Sequence, residues 1–179
     1  LKKRFKVGIV GRPNVGKSSM LNALVNAERS IVNETSGTTR DAIHVFFKHG
    51  DHVFEWIDTA GLRRKTKVKG SIEFYSTVRT HRSIEESDLV VAVIDADRGF
   101  CNQDKRVIQS IIDAGKSMII FVNKADCLEE GPHIEKDFKR IIHGDMPALV
   151  NYPLYFGSAL TKQGLQVLID KIPPLFKGI

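Results

Sequence analysis

The sequence feature that most constrains this chain is a glycine-rich segment between an apolar run and a helix candidate. The run FKVGIV (residues 5–10) is followed directly by GRPNVGKSS (residues 11–19), and the helix candidate extends from Gly16 to Asn26. The segment satisfies the pattern G-x-x-x-x-G-K-[ST] in the strand, loop and helix context that this pattern requires. We therefore expect an early βα unit whose connecting loop binds phosphate.

The rest of the chain alternates apolar runs and helix candidates. The runs at residues 89–94 and 117–122 are almost entirely apolar, as expected of strands that helices cover on both faces. Only KHGD separates the second and third runs, so these should form an antiparallel hairpin at one edge of the sheet. The predicted strands are residues 5–10, 42–47, 52–57, 89–94, 117–122 and 152–156, and the predicted helices are residues 16–26, 71–86, 103–114, 134–142 and 164–172.

This alternation predicts a doubly wound α/β fold with a six-stranded, mostly parallel sheet and helices on both faces. A length of 179 residues fits one domain. Because the chain opens at Leu1 and reaches a strand within a few residues, we expect residues 1–179 to be one domain from a longer multidomain chain.

Composition excludes several classes of protein. No apolar run approaches the roughly 20 residues that cross a bilayer, so no membrane association is expected. Two cysteines are too few for a disulfide framework, and the first residues lack a secretory signal. The expected location is cytoplasmic.

Three segments supply candidate ligands for phosphate and Mg²⁺. Backbone N–H groups of the glycine-rich loop should surround phosphate oxygens, Lys17 should add a positive charge, and the Ser18 hydroxyl should ligate Mg²⁺. The motif DTAG (residues 58–61) follows the third strand; Asp58 should hold Mg²⁺, and the Gly61 N–H should meet the γ-phosphate. The polar run NETSGTTRD (residues 33–41) is a candidate switch loop. Thr39 is the preferred candidate in this loop to ligate Mg²⁺, and Thr38 is the second choice.

Two further motifs are candidate contacts for a guanine base. NKAD (residues 123–126) ends the fifth strand, and the carboxylate of Asp126 can accept two N–H groups from guanine, whereas adenine would leave it unpaired. GSAL (residues 157–160) follows the sixth strand, and the Ala159 N–H is expected to meet the guanine carbonyl. The predicted GTP-binding residues are Asn14, Val15, Gly16, Lys17, Ser18, Ser19, Asn123, Lys124, Asp126, Ser158, Ala159 and Leu160.

Together the segments GRPNVGKSS, GTTRDAI, WIDTAGLRRK, STVRT, DLVVAVIDADRG and NKAD resemble the second of the two GTPase domains of the bacterial Der (EngA) ribosome-assembly GTPases. The resemblance covers nearly the whole chain. It implies a fold of the P-loop NTPase G-domain type, in which residues 1–179 are a single GTPase domain. It also implies GTP binding and hydrolysis, a second G domain and a KH-like domain as neighbours, and ribosomal RNA or the large ribosomal subunit as partner. Ala125 departs from the NKWD form that is frequent in this domain type, while Asp126 is retained.

Leu62 occupies the position where many GTPases carry a glutamine that orients water. The resemblance implies that a K⁺ ion compensates, because related GTPases with an asparagine at the position of Asn14 often use K⁺ in place of an arginine finger. Asn14 and backbone carbonyls near Asn33 and Thr35 are the implied K⁺ ligands. The predicted catalytic residues are Lys17, Thr39, Gly61 and Asn14.

The sequence leaves two questions open, the role of one basic segment and the function of the chain. The segment RRKTKVK (residues 63–69) carries five basic residues on a chain of net charge +6, and it is either a solvated loop or a contact for RNA or for an acidic domain. In function, the alternatives to a GTPase switch are a nucleotide-gated docking scaffold with negligible turnover, or the G domain of a tRNA-modifying or Era-like GTPase.

Overall fold

Strands and α-helices alternate along the chain. A computed structural model describes residues 4–28, 31–34, 43–59, 77–129, 131 and 133–176. The strands are β1 (Arg4–Val10), β2 (Ile31–Glu34), β3 (Ile43–His49), β4 (His52–Trp56), β5 (Leu89–Asp95), β6 (Ser117–Asn123) and β7 (Leu154–Phe156). The α-helices are α1 (Lys17–Glu28), α2 (Thr77–Glu86), α3 (Asn102–Asp113), α4 (Ile134–Asp145) and α5 (Leu165–Lys171), and short 3-10 helices cover Ala125–Cys127, Pro147–Asn151 and Pro173–Phe176.

The strands of the described residues form one sheet in the order β2-β3-β4-β1-β5-β6-β7. Strand β3 is antiparallel to both of its neighbours, and all other neighbouring strands are parallel. The predicted α/β class and the mostly parallel sheet are therefore confirmed.

The number of strands was predicted wrongly, because β2 was not recognised. It has only four residues, IVNE, and its polar half, Asn33 and Glu34, was assigned to the predicted loop at residues 33–41. It pairs with β3 from Ile31 opposite Phe46 to Glu34 opposite Ile43. The sheet thus has seven strands and not six, and the β3–β4 hairpin lies one strand inside the edge. Residues 35–42 lie outside the described part of the chain.

Both faces of the sheet carry an apolar core. Successive side chains of a strand point to opposite faces, and β5 alternates accordingly. Its residues Leu89, Val91 and Val93 pack with buried side chains of α1 and α5. Its residues Val90, Ala92 and Ile94 pack on the other face with buried side chains of α3 and α4. The predicted coverage by helices on both faces is confirmed.

The predicted helices agree with the observed ones within a few residues. The largest difference at a described end is in α4, which was predicted to end at Ile142 and extends to Asp145. Residues 71–76, which were predicted to begin the helix that ends at Glu86, lie outside the described residues. Of the helices that the structure describes, none has the length and apolar character needed to span a membrane.

Candidate nucleotide-binding site

The sheet brings the sequence motifs to one edge. Strands β4, β1, β5, β6 and β7 are parallel neighbours, so their carboxyl ends lie on the same side of the molecule. Asp58 follows β4, the loop at residues 11–16 follows β1, and the NKAD and GSAL motifs follow β6 and β7. In open α/β sheets ligands bind outside the carboxyl ends of the strands. This edge is therefore the candidate site.

The loop after β1 requires glycine at two positions, Gly11 and Gly16, for different reasons. Gly16 has a φ of 98°, and a β-carbon there would collide with the side-chain amide of Asn123. A β-carbon on Gly11 would lie 2.7 Å from the carbonyl oxygen of Val93 in β5. Asn14 also has a positive φ, of 66°, which asparagine tolerates better than most side chains. The loop is thus packed tightly against β5 and the end of β6.

Lys17 begins α1 and is buried beneath this loop. Its Nζ atom donates hydrogen bonds to the carbonyl oxygens of Gly11 at 2.7 Å and Arg12 at 2.9 Å. The ammonium group is therefore held at the loop by the main chain of the loop itself. Ser18 is half-buried and Ser19 is exposed in the same helical turn, whose backbone N–H groups favour anions.

Asn123, the last residue of β6, connects three loops. It is 2% exposed, its Nδ2 atom donates to the carbonyl oxygen of Val15 at 2.9 Å, and its Oδ1 atom accepts from the backbone N–H of Ala159 at 2.9 Å. One side chain thus fixes the phosphate-loop candidate and the GSAL motif to the NKAD motif. The contact between the Ala159 N–H and a guanine carbonyl stays a prediction, because this N–H has a partner within the protein.

Lys124 adds a second link between NKAD and the loop after β1. Its backbone is left-handed, with φ of 63°, and its Nζ atom donates to the carbonyl oxygen of Asn14 at 3.1 Å. The same ammonium group contacts the Oδ2 atom of Asp95 at 2.7 Å. The carbonyl groups of two consecutive loop residues, Asn14 and Val15, are therefore held by side chains of the NKAD motif.

Asp95 is a site residue that sequence reasoning missed. Its side chain is almost completely buried, and its Oδ1 atom accepts from the backbone N–H groups of Asp97 and Arg98. Burial by itself raises the pKa of Asp95, but the hydrogen bond from Lys124 and these two N–H groups outweigh it, so the pKa lies below its ordinary value. The available signal was an acidic residue ending LVVAVID, an otherwise apolar strand.

The base-contacting candidates divide into exposed and buried residues. Asp126 is exposed in the 3-10 turn after β6, and Leu160 is 83% exposed, so both are accessible to a ligand. Ser158 is fully buried; its hydroxyl oxygen accepts from the Thr161 N–H at 3.2 Å. The Ser158 side chain therefore stabilises the conformation of the GSAL loop and is not exposed to a ligand.

Asp58 contacts α2 in this structure. Arg79 donates to its two carboxylate oxygens at 2.9 and 2.7 Å, and the Ser83 hydroxyl donates at 3.1 Å. The hydrogen bond to Asp58 raises the pKa of Arg79, against the effect of burial. Both oxygens of the Asp58 carboxylate therefore have partners on α2, although a carboxylate and the Ser18 hydroxyl are ligand types that suit Mg²⁺. Its role as a Mg²⁺ ligand stays a prediction.

The remaining predicted residues fall largely outside the described ranges. Thr35, Thr39, Gly61 and Leu62 are among these, as is the basic segment at residues 63–69. Asn33 lies in β2, so its backbone belongs to an edge strand rather than to a loop. Across the described residues, no cluster of three or more His, Cys, Asp or Glu side chains is suited to a metal.

The fold and this arrangement of loops define a nucleotide-binding P-loop protein of the G-domain type. A family model described as 50S ribosome-binding GTPase matches residues 6–124, which is more than half of the chain. The chain belongs to this family of GTPases.

Individual relatives agree with the predicted resemblance. The GTPase Der of Alkaliphilus oremlandii is 42% identical over 168 residues, which is 94% of this chain and 38% of the relative. The GTPase Der of Lacticaseibacillus casei is 45% identical over 164 residues, 92% of this chain and 38% of the relative. The resemblance to the Der family is confirmed, and the chain spans 38% of the length of these relatives.

Among solved structures, the crystal structure of Era in complex with MgGDPNP and nucleotides 1506–1542 of 16S ribosomal RNA resembles this chain with a TM-score of 0.68. The two are 26% identical, and the match covers 96% of this chain and 56% of Era.

Asp95→Asn tests the buried ion pair through its pH dependence. Since the pKa of Asp95 is lower in the folded than in the unfolded state, the ionised group adds stability above the ordinary Asp pKa of about 3.9. This contribution disappears as the pH falls through the lower folded value. At pH 7 the variant should lose about 1–3 kcal/mol in the free energy of unfolding. The measurement is urea unfolding of both proteins between pH 3 and 7.

The difference between wild type and Asp95→Asn should shrink below about pH 4. Asp113→Asn is the control, because Asp113 is exposed on α3. A difference that stays constant over the whole range would contradict a lowered pKa.

Proposed function

We propose that this chain is a GTP-binding domain that hydrolyses GTP to GDP and phosphate and acts as a switch in assembly of the large (50S) ribosomal subunit in the cytoplasm. The observation that carries the proposal is the side chain of Asn123, which joins the loop after β1 to the loop after β7 at 2.9 Å on each side. A phosphate-binding loop and a base-binding motif that are linked in this way can receive one nucleotide between them.

The triphosphate would lie on the loop at residues 11–16 and on the first turn of α1. Backbone N–H groups from Asn14 to Ser19 would contact phosphate oxygens, and the buried ammonium group of Lys17 would contribute the positive charge. Mg²⁺ held by Ser18, Asp58 and Thr39 would neutralise charge on the β- and γ-phosphates. The Gly61 N–H would contact the γ-phosphate.

The guanine base would lie beside the exposed carboxylate of Asp126, with Leu160 and Ala159 at its edge. A carboxylate accepts two N–H groups and donates none, which matches the N1 and N2 positions of guanine. The Watson–Crick edge of adenine presents a bare nitrogen at N1, so adenine would leave this carboxylate unpaired.

Hydrolysis would depend on positioning and electrostatics, since an alkyl side chain at Leu62 cannot activate water. We propose that K⁺ adds positive charge between the β- and γ-phosphates, bound by the Asn14 side chain with backbone carbonyls near Asn33 and Thr35. Two features support this role for Asn14: its side chain is exposed, and its backbone is held by Lys124.

The proposed partners are ribosomal RNA or the large ribosomal subunit, and the neighbouring G and KH-like domains of a longer protein of which residues 1–179 would be one domain. Membership in the 50S ribosome-binding GTPase family supports the first, and the Der relatives, which this chain matches over 38% of their length, support the second. The basic segment at residues 63–69 would supply contacts to phosphate groups.

Asp126→Asn tests the choice of base. The amide offers one acceptor and one donor, which fits the N1–H and C2 carbonyl of xanthine better than the two donors of guanine. We expect affinity for GTP to fall at least a hundredfold, as at other sites that lose a hydrogen-bond match, and affinity for xanthosine triphosphate to rise. Calorimetry with Mg²⁺ and GTP, ATP or xanthosine triphosphate measures both.

Glu129→Gln is the matched control, because Glu129 is an exposed acid just beyond the same turn. The proposal for Asp126 fails if the wild type binds ATP as tightly as GTP, or if Asp126→Asn keeps the wild-type preference.

Asn14→Ala tests the K⁺ site. Single-turnover hydrolysis of GTP by the wild type should be faster in KCl than in NaCl, and the variant should show equal rates because the side-chain oxygen ligand is removed. Equal wild-type rates in both salts would overturn the K⁺ proposal. GTP that stays intact for hours in KCl would instead favour the nucleotide-gated scaffold.

A further inference from the structure

A buried ion pair connects the candidate phosphate loop to helix α3. The Nε atom of Arg12 lies 3.1 and 3.2 Å from the two carboxylate oxygens of Asp104, and the two side chains are 7% and 1% exposed. The two residues are 92 positions apart in the sequence. The contact is therefore a tertiary link between the loop after β1 and α3 that no local motif predicts.

Asp104 has a second role that does not need Arg12. Its Oδ2 atom accepts the backbone N–H of Cys101 at 2.9 Å, which completes the first turn of α3. The capping contact itself does not involve Arg12, whereas Arg12 has its closest side-chain partner in Asp104 and a longer contact with the carbonyl oxygen of Gly99 at 3.5 Å. Since burying an ion pair contributes little net stability compared with apolar side chains, helix capping and stability leave the buried guanidinium of Arg12 unexplained.

The main chain of Arg12 gives the explanation. Its carbonyl oxygen accepts a hydrogen bond from the Nζ atom of Lys17 at 2.9 Å, beside the carbonyl of Gly11 at 2.7 Å. The side chain that fixes Arg12 against α3 therefore also fixes one of the two carbonyl groups that hold the ammonium group. The second half of the loop is held separately, at Asn14 and Val15, by the NKAD motif.

We propose that Arg12 and Asp104 are positioning residues for phosphate binding. The pair anchors the first half of the loop to α3, and through the Arg12 carbonyl it sets where Lys17 meets a phosphate. Arg12 also neutralises Asp104, which would otherwise be a buried negative charge beside the loop that receives a polyanion. This inference rests on the proposed binding of GTP.

The test compares a ligand with phosphates and a ligand without them. Arg12→Met keeps most of the side-chain volume but removes the charge. We expect it to weaken Mg²⁺–GTP binding by about ten- to a hundredfold, the range expected when a hydrogen bond to a charged group is impaired. Binding of guanosine, followed by ligand-observed NMR, should change less than about twofold, because the proposed guanosine contacts lie in the segments after β6 and β7, away from Arg12. A purely structural role would weaken both ligands together.

A second test compares the GTP affinities of variants that remove the charge of Asp104 alone or the charges of both Arg12 and Asp104. Asp104→Asn leaves Arg12 in place and keeps a side-chain acceptor for the Cys101 N–H, so its loss of GTP affinity should be smaller. The double variant Arg12→Met/Asp104→Asn should bind GTP more tightly than Arg12→Met, because the unpaired carboxylate is gone. If Arg12→Met does not fold, Arg12→Lys and Asp104→Asn give the same comparison of GTP with guanosine.

Lys105→Met is the matched control, because the ion pair of Lys105 with Asp145 starts from the same helix and is partly exposed. It should leave both affinities unchanged. The inference is overturned if Arg12→Met binds GTP like the wild type, or if Arg12→Met, Arg12→Lys or Asp104→Asn loses GTP and guanosine equally. A wild type that binds no GTP would instead refute the proposed function.

Discussion

The candidate site depends on the buried carboxamide of Asn123. A buried amide must find partners for both its donor and its acceptor, because each unmatched group costs about 1–3 kcal/mol. Asn123 finds them in two different loops, at Val15 and Ala159. It also explains why residue 16 is a glycine, since a β-carbon there would occupy the position of the amide. The end of β6 therefore determines the path of the loop after β1.

Around this amide, each of three cationic side chains has partners within the protein. Lys124 pairs with Asp95, Arg12 pairs with Asp104, and Lys17 is held by two carbonyl groups. Such satisfied contacts fix a loop without relying on a ligand, and preorganised donors are the main way in which proteins stabilise charge on phosphoryl groups. Asn14 and Asp126, which have proposed ligand contacts, are both exposed at this edge.

The parts of this site that sequence reasoning recovered are those with a local cause. The glycine pattern before Lys17, the apolar runs of β5 and β6, and the NKAD motif each follow from neighbouring residues. The missed parts depend on distant residues. Strand β2 is four residues long and forms through pairing with β3, and the ion pair of Arg12 with Asp104 spans 92 positions. Asp95 was missed because its partner, Lys124, is 29 positions away and directly follows the neighbouring strand β6.

The most direct test of the account is the affinity of Asn123→Ala for Mg²⁺–GTP, measured by calorimetry on protein whose folding is verified by thermal unfolding. If one amide joins the phosphate and base sites, the folded variant should lose at least tenfold in affinity for GTP and most of the preference for GTP over ATP. A folded Asn123→Ala protein that binds GTP with wild-type affinity and preference would contradict the account.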